Sequence, residues 1–401
     1  LTKADAVIIN TCAFIESAKT EAIEKILETA SYREENPELK IIVSGCRAQR
    51  YADDIRAELP EVDGIMGTGS YSEVVSVVEA VLAGDKPTRR GAISAPLYDT
   101  PRAVSTGPNW AYLRIAEGCD NRCAYCVIPS LRGKFRSRTK ESILEEARLL
   151  AASGVKELII VAQDITRYGI DLYGKVCLTE LLKELCKLDF RWVRLHYLYP
   201  ELIDDELIDE IASEDKIVKY LDIPIQHIND TILRRMNRRG TGEEIRALFK
   251  KLRERIPGLV LRTSLITGLP GEGEAEFEEL CDFLREAKIE RAGVFPYSPE
   301  EGTPAALMPD RCSTEEAQRR AELCMEIQAE IMDGFAETFI GRELDVLVMG
   351  REPDGTPWGR SEYDSPDIDS RVIFSGNAAP GDMVRVRIDS VDDGELIGEQ
   401  I

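Results

Sequence analysis

The stretch "GCDNRCAYC", residues 118–126, puts Cys119, Cys123 and Cys126 within eight positions. Thiolates grouped this tightly can hold a metal. Structural zinc sites close with four ligands, and the chain has only two histidines, His196 and His227, neither near these cysteines in sequence. Electron-carrying iron–sulfur clusters also use four cysteines, whereas three thiolates suit a four-iron cluster that leaves one iron open for a substrate or cofactor. The plainer readings of the same residues are a pair of core thiols with a chance third, or a zinc knuckle. Two further thiols hold a patterned position: Cys12 comes just after the apolar run "DAVIIN", and Cys46 directly after "KIIVSG". If both runs are parallel strands, both thiols leave the carboxyl edge of one sheet, where such folds bind ligands. Without that context they are two ordinary buried cysteines.

Three blocks of sequence would position these residues. From Asp5 to about Ala83, "DAVIIN", "KIIVSG" and "GIMG" alternate with amphipathic stretches, which reads as a small doubly wound α/β domain over residues 1–84. Residues 85–109 are rich in Pro, Gly, Ser and Thr without any period, and read as a linker. Over 110–335 the runs "AYLRIA", "ELIIVA", "WVRLHY", "KYLDIPI", "LVLRTSLI" and "RAGVFPY" alternate with helical patterns at 141–152, 178–187, 243–255 and 274–287, followed by a long helix at 313–333. Six such units predict a partial TIM-like (β/α)6 barrel, and the three-cysteine loop then follows its first strand, at the end where barrels keep their chemistry. Thr241 with Glu244, and Ser313 with Glu316, carry the capping-box pattern of helix starts. Residues 336–401 turn to short alternating runs, "LDVLVMG", "SRVIFSG", "DMVRVRIDSV" and "ELIGEQI", which predict a small β-barrel.

Composition bounds what such a chain can do. With 401 residues, 43% of them apolar and 31% charged, it has the make-up of a folded multidomain protein. The net charge of −22 argues against general nucleic-acid binding, which needs clustered cations to neutralise phosphates. No apolar run is long enough to cross a bilayer and no secretory signal precedes the first strand, so a cytoplasmic location is expected. In that compartment ten cysteines read as thiolates or core residues rather than disulfides. The chain begins at Leu1 without Met and reads as N-terminally incomplete.

The spacing Cys-x3-Cys-x2-Cys, with the aromatic Tyr125 before the last cysteine, resembles the signature of the radical S-adenosylmethionine enzymes. The resemblance implies that the open iron chelates S-adenosylmethionine, whose one-electron cleavage gives a deoxyadenosyl radical for attack on an unactivated C–H bond. No Ser-His-Asp or paired-carboxylate set competes with that reading. The other strand ends would gather on the same rim: Gln163 with Asp164, His196 with Tyr197, Gln226 with His227, and "RTSLITGLPGE" from Arg262 through Gly268 and Gly271. Singly, each reads as a packing or turn residue. As a set they resemble the cofactor-contacting loops of the superfamily, which implies Gln163, Gln226, Arg262 and Gly268 as contacts to S-adenosylmethionine. "NTCAFIESA" and "SGCRAQRY" resemble the N-terminal domain of the methylthiotransferases, in which three cysteines hold an auxiliary four-iron cluster. Cys12 and Cys46 are then two of its ligands, and the third family cysteine is absent from this chain. Two [4Fe-4S] clusters are implied in all. Cys177, Cys186, Cys281, Cys312 and Cys324 fall mostly on helical apolar faces and read as core. The last block resembles a TRAM domain, so the resemblance spans essentially the whole chain.

Methylthiotransferases have two main destinations, tRNA adenosines or an aspartate β-carbon of ribosomal protein S-twelve. "NTCAFIESA", "AQDITRYG" and "RLHYLYP" resemble the second branch, and residues 341–401 carry six Arg, no Lys and fourteen acids. Such a barrel repels phosphates and steers toward a basic protein. The acids Glu362, Asp364, Asp367 and Asp369 of "SEYDSPDIDS" are expected to form an exposed docking loop. Expected partners are S-twelve or the small ribosomal subunit and a reductant such as flavodoxin or ferredoxin. The basic runs "RGKFRSRTK" and "RRMNRR" read either as solvated faces or as contacts to an acidic target or RNA, and keep tRNA as the alternative substrate. A noncatalytic iron–sulfur electron carrier fits neither the three-cysteine count nor the large barrel.

Overall fold

The computed structural model describes residues 1–94, 102–107 and 109–401; within the expected linker, 95–101 and 108 lie outside the described residues. The described residues form two compact units. The first takes in 1–94, 117–136 and 298–307, and the second takes in 102–107, 109–116, 137–297 and 308–401. The three-cysteine loop therefore belongs to the same unit as the N-terminal block, a grouping that the linear order of three blocks does not disclose.

In the first unit, β1 (Ala6–Thr11), β2 (Lys40–Gly45), β3 (Gly64–Met66) and β4 (Thr88–Arg89) form a parallel sheet in the order β1-β2-β3-β4. Ile41 to Gly45 are all buried, as expected for a strand covered on both faces. Helices Glu16–Ser31 and Ala52–Glu58 bury Ile26 and Ile55 against Val43, Val62 and Ile65. Each such side chain contributes about 1.5–3 kcal/mol on burial. This is the expected parallel α/β layer with two differences. The described strands do not reverse order as double winding requires, and β4 falls inside the stretch read as linker.

In the second unit, β5 (Trp110–Arg114), β6 (Glu157–Val161), β7 (Trp192–Leu195), β8 (Ile217–Asp222), β9 (Val260–Thr267) and β10 (Arg291–Pro296) form the predicted six-stranded parallel sheet, in the order β10-β9-β8-β7-β6-β5. The capping box is present: Thr241 N–H donates to Glu244 at 2.8 Å while Glu244 N–H donates to the Thr241 hydroxyl at 3.2 Å. Helices Asp205–Ser213 and Asp230–Arg235 were not anticipated from the apolar period; Asp204 and Asn229 start them by accepting first-turn N–H groups. The C-terminal strands β11 (Glu343–Arg351), β12 (Pro357–Ser361), β13 (Val372–Ser375), β14 (Met383–Asp392) and β15 (Glu395–Gln400) close a barrel in the order β11-β12-β13-β15-β14. Its core includes Phe339, Val346, Val348, Val372, Phe374, Val386 and Ile388. β12, "PWGRS", escaped the sequence reading because it lacks apolar alternation.

The small barrel is joined to the six-stranded sheet by buried charge. Arg194 Nε donates to Glu157 Oε1 at 2.6 Å, and Arg360 pairs with the same carboxylate. Arg291 donates to Asp364 at 2.8 Å, and the Tyr220 hydroxyl donates to Asp369 at 2.7 Å. Burial works against ionisation of Glu157, yet Arg360 and Arg194 hold its carboxyl below the usual range. These contacts overturn the expected acidic docking loop. Asp364 is 1% exposed and Asp369 neutralises buried groups of the sheet, Glu362 is half-buried, and only Asp367 of the four is exposed. A buried cation demands a buried anion, and the loop supplies it.

Candidate metal and cofactor centre

The three-cysteine loop is shaped by its backbone. Gly118 has φ +84°, and a Cβ there would lie 2.2 Å from the Lys134 carbonyl oxygen, so the chain passes too close for any side chain. Cys119 N–H then donates to the Gly133 carbonyl at 3.1 Å, and Cys126 N–H to the Cys123 carbonyl at 3.0 Å. The Cys126 sulfur accepts from Ile128 N–H at 3.4 Å. Cys119 and Cys123 are buried and Cys126 is half-buried. Helix Ile128–Arg132 follows with proline in its first turn.

The other two thiols stand at neighbouring strand ends in the same unit. The register pairs Thr11 with Gly45, so Cys12 and Cys46 are the next residues off adjacent strands β1 and β2. Gly45, at φ +94°, allows that approach; a Cβ there would meet the Thr11 oxygen at 2.5 Å. Cys12 is exposed and Cys46 buried. Cys46 packs with Ala13, Phe14 and Tyr51, and with Val127 and Leu131 from the segment directly after Cys126. Burial pushes the Cys46 thiol up, and the charge of the Arg132 guanidinium works the other way. Cys46 and the segment directly after Cys126 thus meet in one apolar cluster.

The donor set fits iron–sulfur chemistry: five thiols, no histidine among them, and no disulfide at any of the ten cysteines. Among the described residues, no group of three His, Cys, Asp or Glu is disposed around a single metal ion. A multi-iron cluster gives each thiolate its own iron, so the ligand test that bears on it is thiol count and chemistry. Of the thiols read as core, Cys177, Cys186, Cys281 and Cys324 are buried and Cys312 half-buried. Burial pushes Cys186 up to about 12, which makes it an inert thiol.

The remaining candidates lie in the second unit. Gln163 is half-buried just after β6, and Asp164 beside it accepts from Thr166 N–H at 3.1 Å as a turn residue. Gln226 has φ +71°, and its N–H donates to the Ser264 carbonyl at 2.9 Å while its own carbonyl accepts from Ile266 N–H at 2.8 Å. A left-handed glutamine held by two bonds to β9 is the kind of strain found at functional positions. Arg262 donates to Asp222 at 3.1 Å. Burial raises the Asp222 carboxyl to about 6 despite that partner. Gly268 has φ +74°, and a Cβ there would lie 2.4 Å from the Ala317 side chain. Its N–H donates to Glu272 at 2.8 Å, and Glu272 also receives Arg320 at 2.9 Å. The packing of this turn on helix Thr314–Glu337 alone accounts for glycine there. Neither histidine is a surface residue: His196 is pushed down to about 3 by burial, then by Arg194 and Arg262, and its Nε2 meets Ser365 at 3.0 Å. His227 accepts from Asn229 N–H at 3.0 Å and stands 3.3 Å from Glu272.

The basic runs are largely absorbed by the fold. Arg138 pairs with Glu146, and Arg238 stacks on Tyr199 while donating to the Pro224 carbonyl at 2.7 Å. What sequence reasoning missed is the ionic set around Glu157, Arg194 and Arg291. Its signal was present as single charges inside otherwise apolar strands.

Comparison with known proteins agrees with this architecture. Residues 113–284 match the radical SAM superfamily, 1–67 match the uncharacterized protein family UPF0004, and 340–401 match the TRAM domain. Among solved structures, the radical S-adenosylmethionine methyltransferase TsrM from Kitasatospora setae, bound to tryptophan and a SAM analogue, shares the fold with a TM-score of 0.55. It is 15% identical, over 88% of this chain and 68% of that one. Fold and motif together define a radical SAM protein, which works with an iron–sulfur cluster and S-adenosylmethionine. The ribosomal protein uS12 methylthiotransferase RimO of Pelotomaculum thermopropionicum is 49% identical over 100% of this chain and 91% of its own length. The RimO of Desulfitobacterium hafniense is 45% identical with the same coverage. The chain belongs to the RimO family of radical SAM methylthiotransferases.

Proposed function

We propose that this protein transfers a methylthio group to the β-carbon of an aspartate in ribosomal protein S-twelve. The observation that carries the reading is that both thiol sets belong to one compact unit, in which Cys46 packs with Val127 and Leu131 of the segment after Cys126. Cys119, Cys123 and Cys126 hold the cluster that binds S-adenosylmethionine, and Cys12 and Cys46 contribute to an auxiliary cluster. Gln163, Gln226, Arg262 and the Gly268 turn serve S-adenosylmethionine in the second unit. When bound, the cluster and S-adenosylmethionine would supply a radical able to take a hydrogen atom from an unactivated carbon. The chain's own part is to place and shield: Gly118 and Gly45 bring backbones together, and the apolar packing around Cys46 keeps water from its sulfur. In this reading the chain acts in the cytoplasm with flavodoxin or ferredoxin as reductant and the small ribosomal subunit as partner. No helix among the described residues is long and apolar enough to cross a membrane.

The test is mass spectrometry of S-twelve and of bulk tRNA nucleosides from cells with and without the gene. The expected result is a methylthio group on one S-twelve aspartate that disappears with the gene. A change confined to tRNA adenosine would transfer the assignment to RNA.

A further inference from the structure

Two of the thiols read as core face one another in the second unit. Cys281 lies on helix Glu274–Ala287 and Cys324 on helix Thr314–Glu337, and their sulfurs stand 3.9 Å apart. Cys324 is fully buried and Cys281 is 7% exposed. The seam between the two helices is pinned on both sides of the pair. One turn before Cys324, Arg320 lies over the Phe277 ring at 5.2 Å and donates to the Glu272 carboxylate at 2.9 Å. One turn after it, Gln328 donates to the Ile289 carbonyl at 2.9 Å. Arg320, Cys324 and Gln328 recur every four residues and so share one helix face, as Phe277 and Cys281 do on the other helix. These flanking contacts fix the register that sets sulfur against sulfur.

The pair is also unequal. The hydrogen bond from the Cys324 thiol holds the Cys281 thiol below its ordinary value against the effect of burial, while the same bond and burial push Cys324 up. Cys281 is therefore the better thiolate of the two, and thiolate character governs attack on an oxidant.

We propose that Cys281 and Cys324 are a modification site, a dithiol that closes to a reversible disulfide when the protein meets a peroxide. The Cys281 sulfur takes one oxygen from the peroxide O–O bond, giving a sulfenic acid and one water. The Cys324 sulfur then displaces that hydroxyl, which leaves as a second water with the Cys324 proton. Two thiols lose two electrons and two hydrogens, and hydrogen peroxide gains them. Closing the bond brings the sulfurs about 2 Å nearer. It ties the helix that leaves the Gly268 turn to the helix on which that turn packs, where Thr267 donates to the Ala317 carbonyl at 2.9 Å. None of the thiols assigned to clusters takes part, so the site stands apart from the methylthiotransferase reading.

The experiment treats reduced, oxygen-free full-length protein with a small excess of hydrogen peroxide. Remaining thiols are blocked with iodoacetamide in denaturant, and the digest is read by mass spectrometry. The expected result is a peptide pair joined through Cys281 and Cys324, absent before oxidation and removed by dithiothreitol. Cys281 should be lost to alkylation at least about tenfold faster than buried Cys186, whose thiol is held at about 12. In Cys324→Ser, which keeps a donor but cannot close the bond, Cys281 should accumulate as a sulfenic acid trapped by dimedone. Two outcomes with the wild-type chain would overturn the proposal. One is Cys281 and Cys324 still fully alkylated after half-buried Cys312 has been oxidised; the other is Cys281 linked to a different cysteine.

Discussion

Cys46 and Cys186 are equally buried, at 8% and 6% exposure, yet their surroundings differ in kind. Cys186 ends a helix, and burial, then Glu214 and Glu210, push its thiol up to about 12 against Lys216 and Lys219. Cys46 leaves a strand end, and the Arg132 cation beside it opposes the effect of burial. Burial therefore does not separate a ligand from a core thiol. In the proposed reading the place on the strand edge sets Cys46 apart from a core thiol, because that edge is where such folds bind ligands.

The largest effects that can break this contrast come from the loop itself. Replacing any one of Cys119, Cys123 or Cys126 with Ala should abolish reductive cleavage of S-adenosylmethionine, measured as methionine and deoxyadenosine formed. Cys186→Ala should leave it within about twofold, since a core thiol contributes only packing. Next in size, Cys46→Ala or Cys12→Ala in the full-length protein should keep cofactor cleavage, stop methylthio transfer, and lower iron from about eight to about four per chain. Normal transfer by Cys12→Ala would return that residue to the ordinary surface.

A second contrast, between Asp364 and Asp367, concerns stability. Asp364→Asn removes the closer of the two carboxylates paired with buried Arg291, leaving Asp369 at 3.7 Å, and should cost about 1.5–3 kcal/mol, read as a lowered denaturation midpoint. Asp367→Asn, on an exposed residue of the same segment, should change stability by less than about 0.5 kcal/mol. Equal effects would mean that the segment is not held by its ion pairs.

The same contrast marks the limit of the sequence reading. The six barrel strands were legible because each is built on a short, mostly apolar run, and the three-cysteine loop because its spacing is chemical. "SEYDSPDIDS" was misread because acidity in a Pro- and Ser-containing stretch looks like a solvated loop. Only its distant partners, Arg291 and Tyr220, show that the acids point inward. Arg132 likewise was read only as one cation of a basic run, and the fold pairs it with Glu117 at 3.5 Å. Strand ends can be read locally, whereas charges paired across 70 or more residues of sequence cannot.

A smaller effect sharpens the account of Arg262 and its partner. Asp222 titrates at about 6 in the folded protein against an ordinary 3.8, so its neutral form is favoured by folding. Its contribution is present below about pH 4 and is lost as pH rises toward 6, a slope worth at most about 3 kcal/mol. Denaturation of Asp222→Asn across that window should lack this decline, and an unchanged slope would assign it to another group.

The most direct test of the central claim is peptide mass spectrometry of ribosomal protein S-twelve from cells lacking the gene and complemented with wild-type or Cys46→Ala full-length protein. The account predicts a methylthio group on one aspartate with the wild type and none with Cys46→Ala, although both proteins cleave S-adenosylmethionine. An unmodified S-twelve beside newly methylthiolated tRNA adenosine, or full modification by Cys46→Ala, would contradict it.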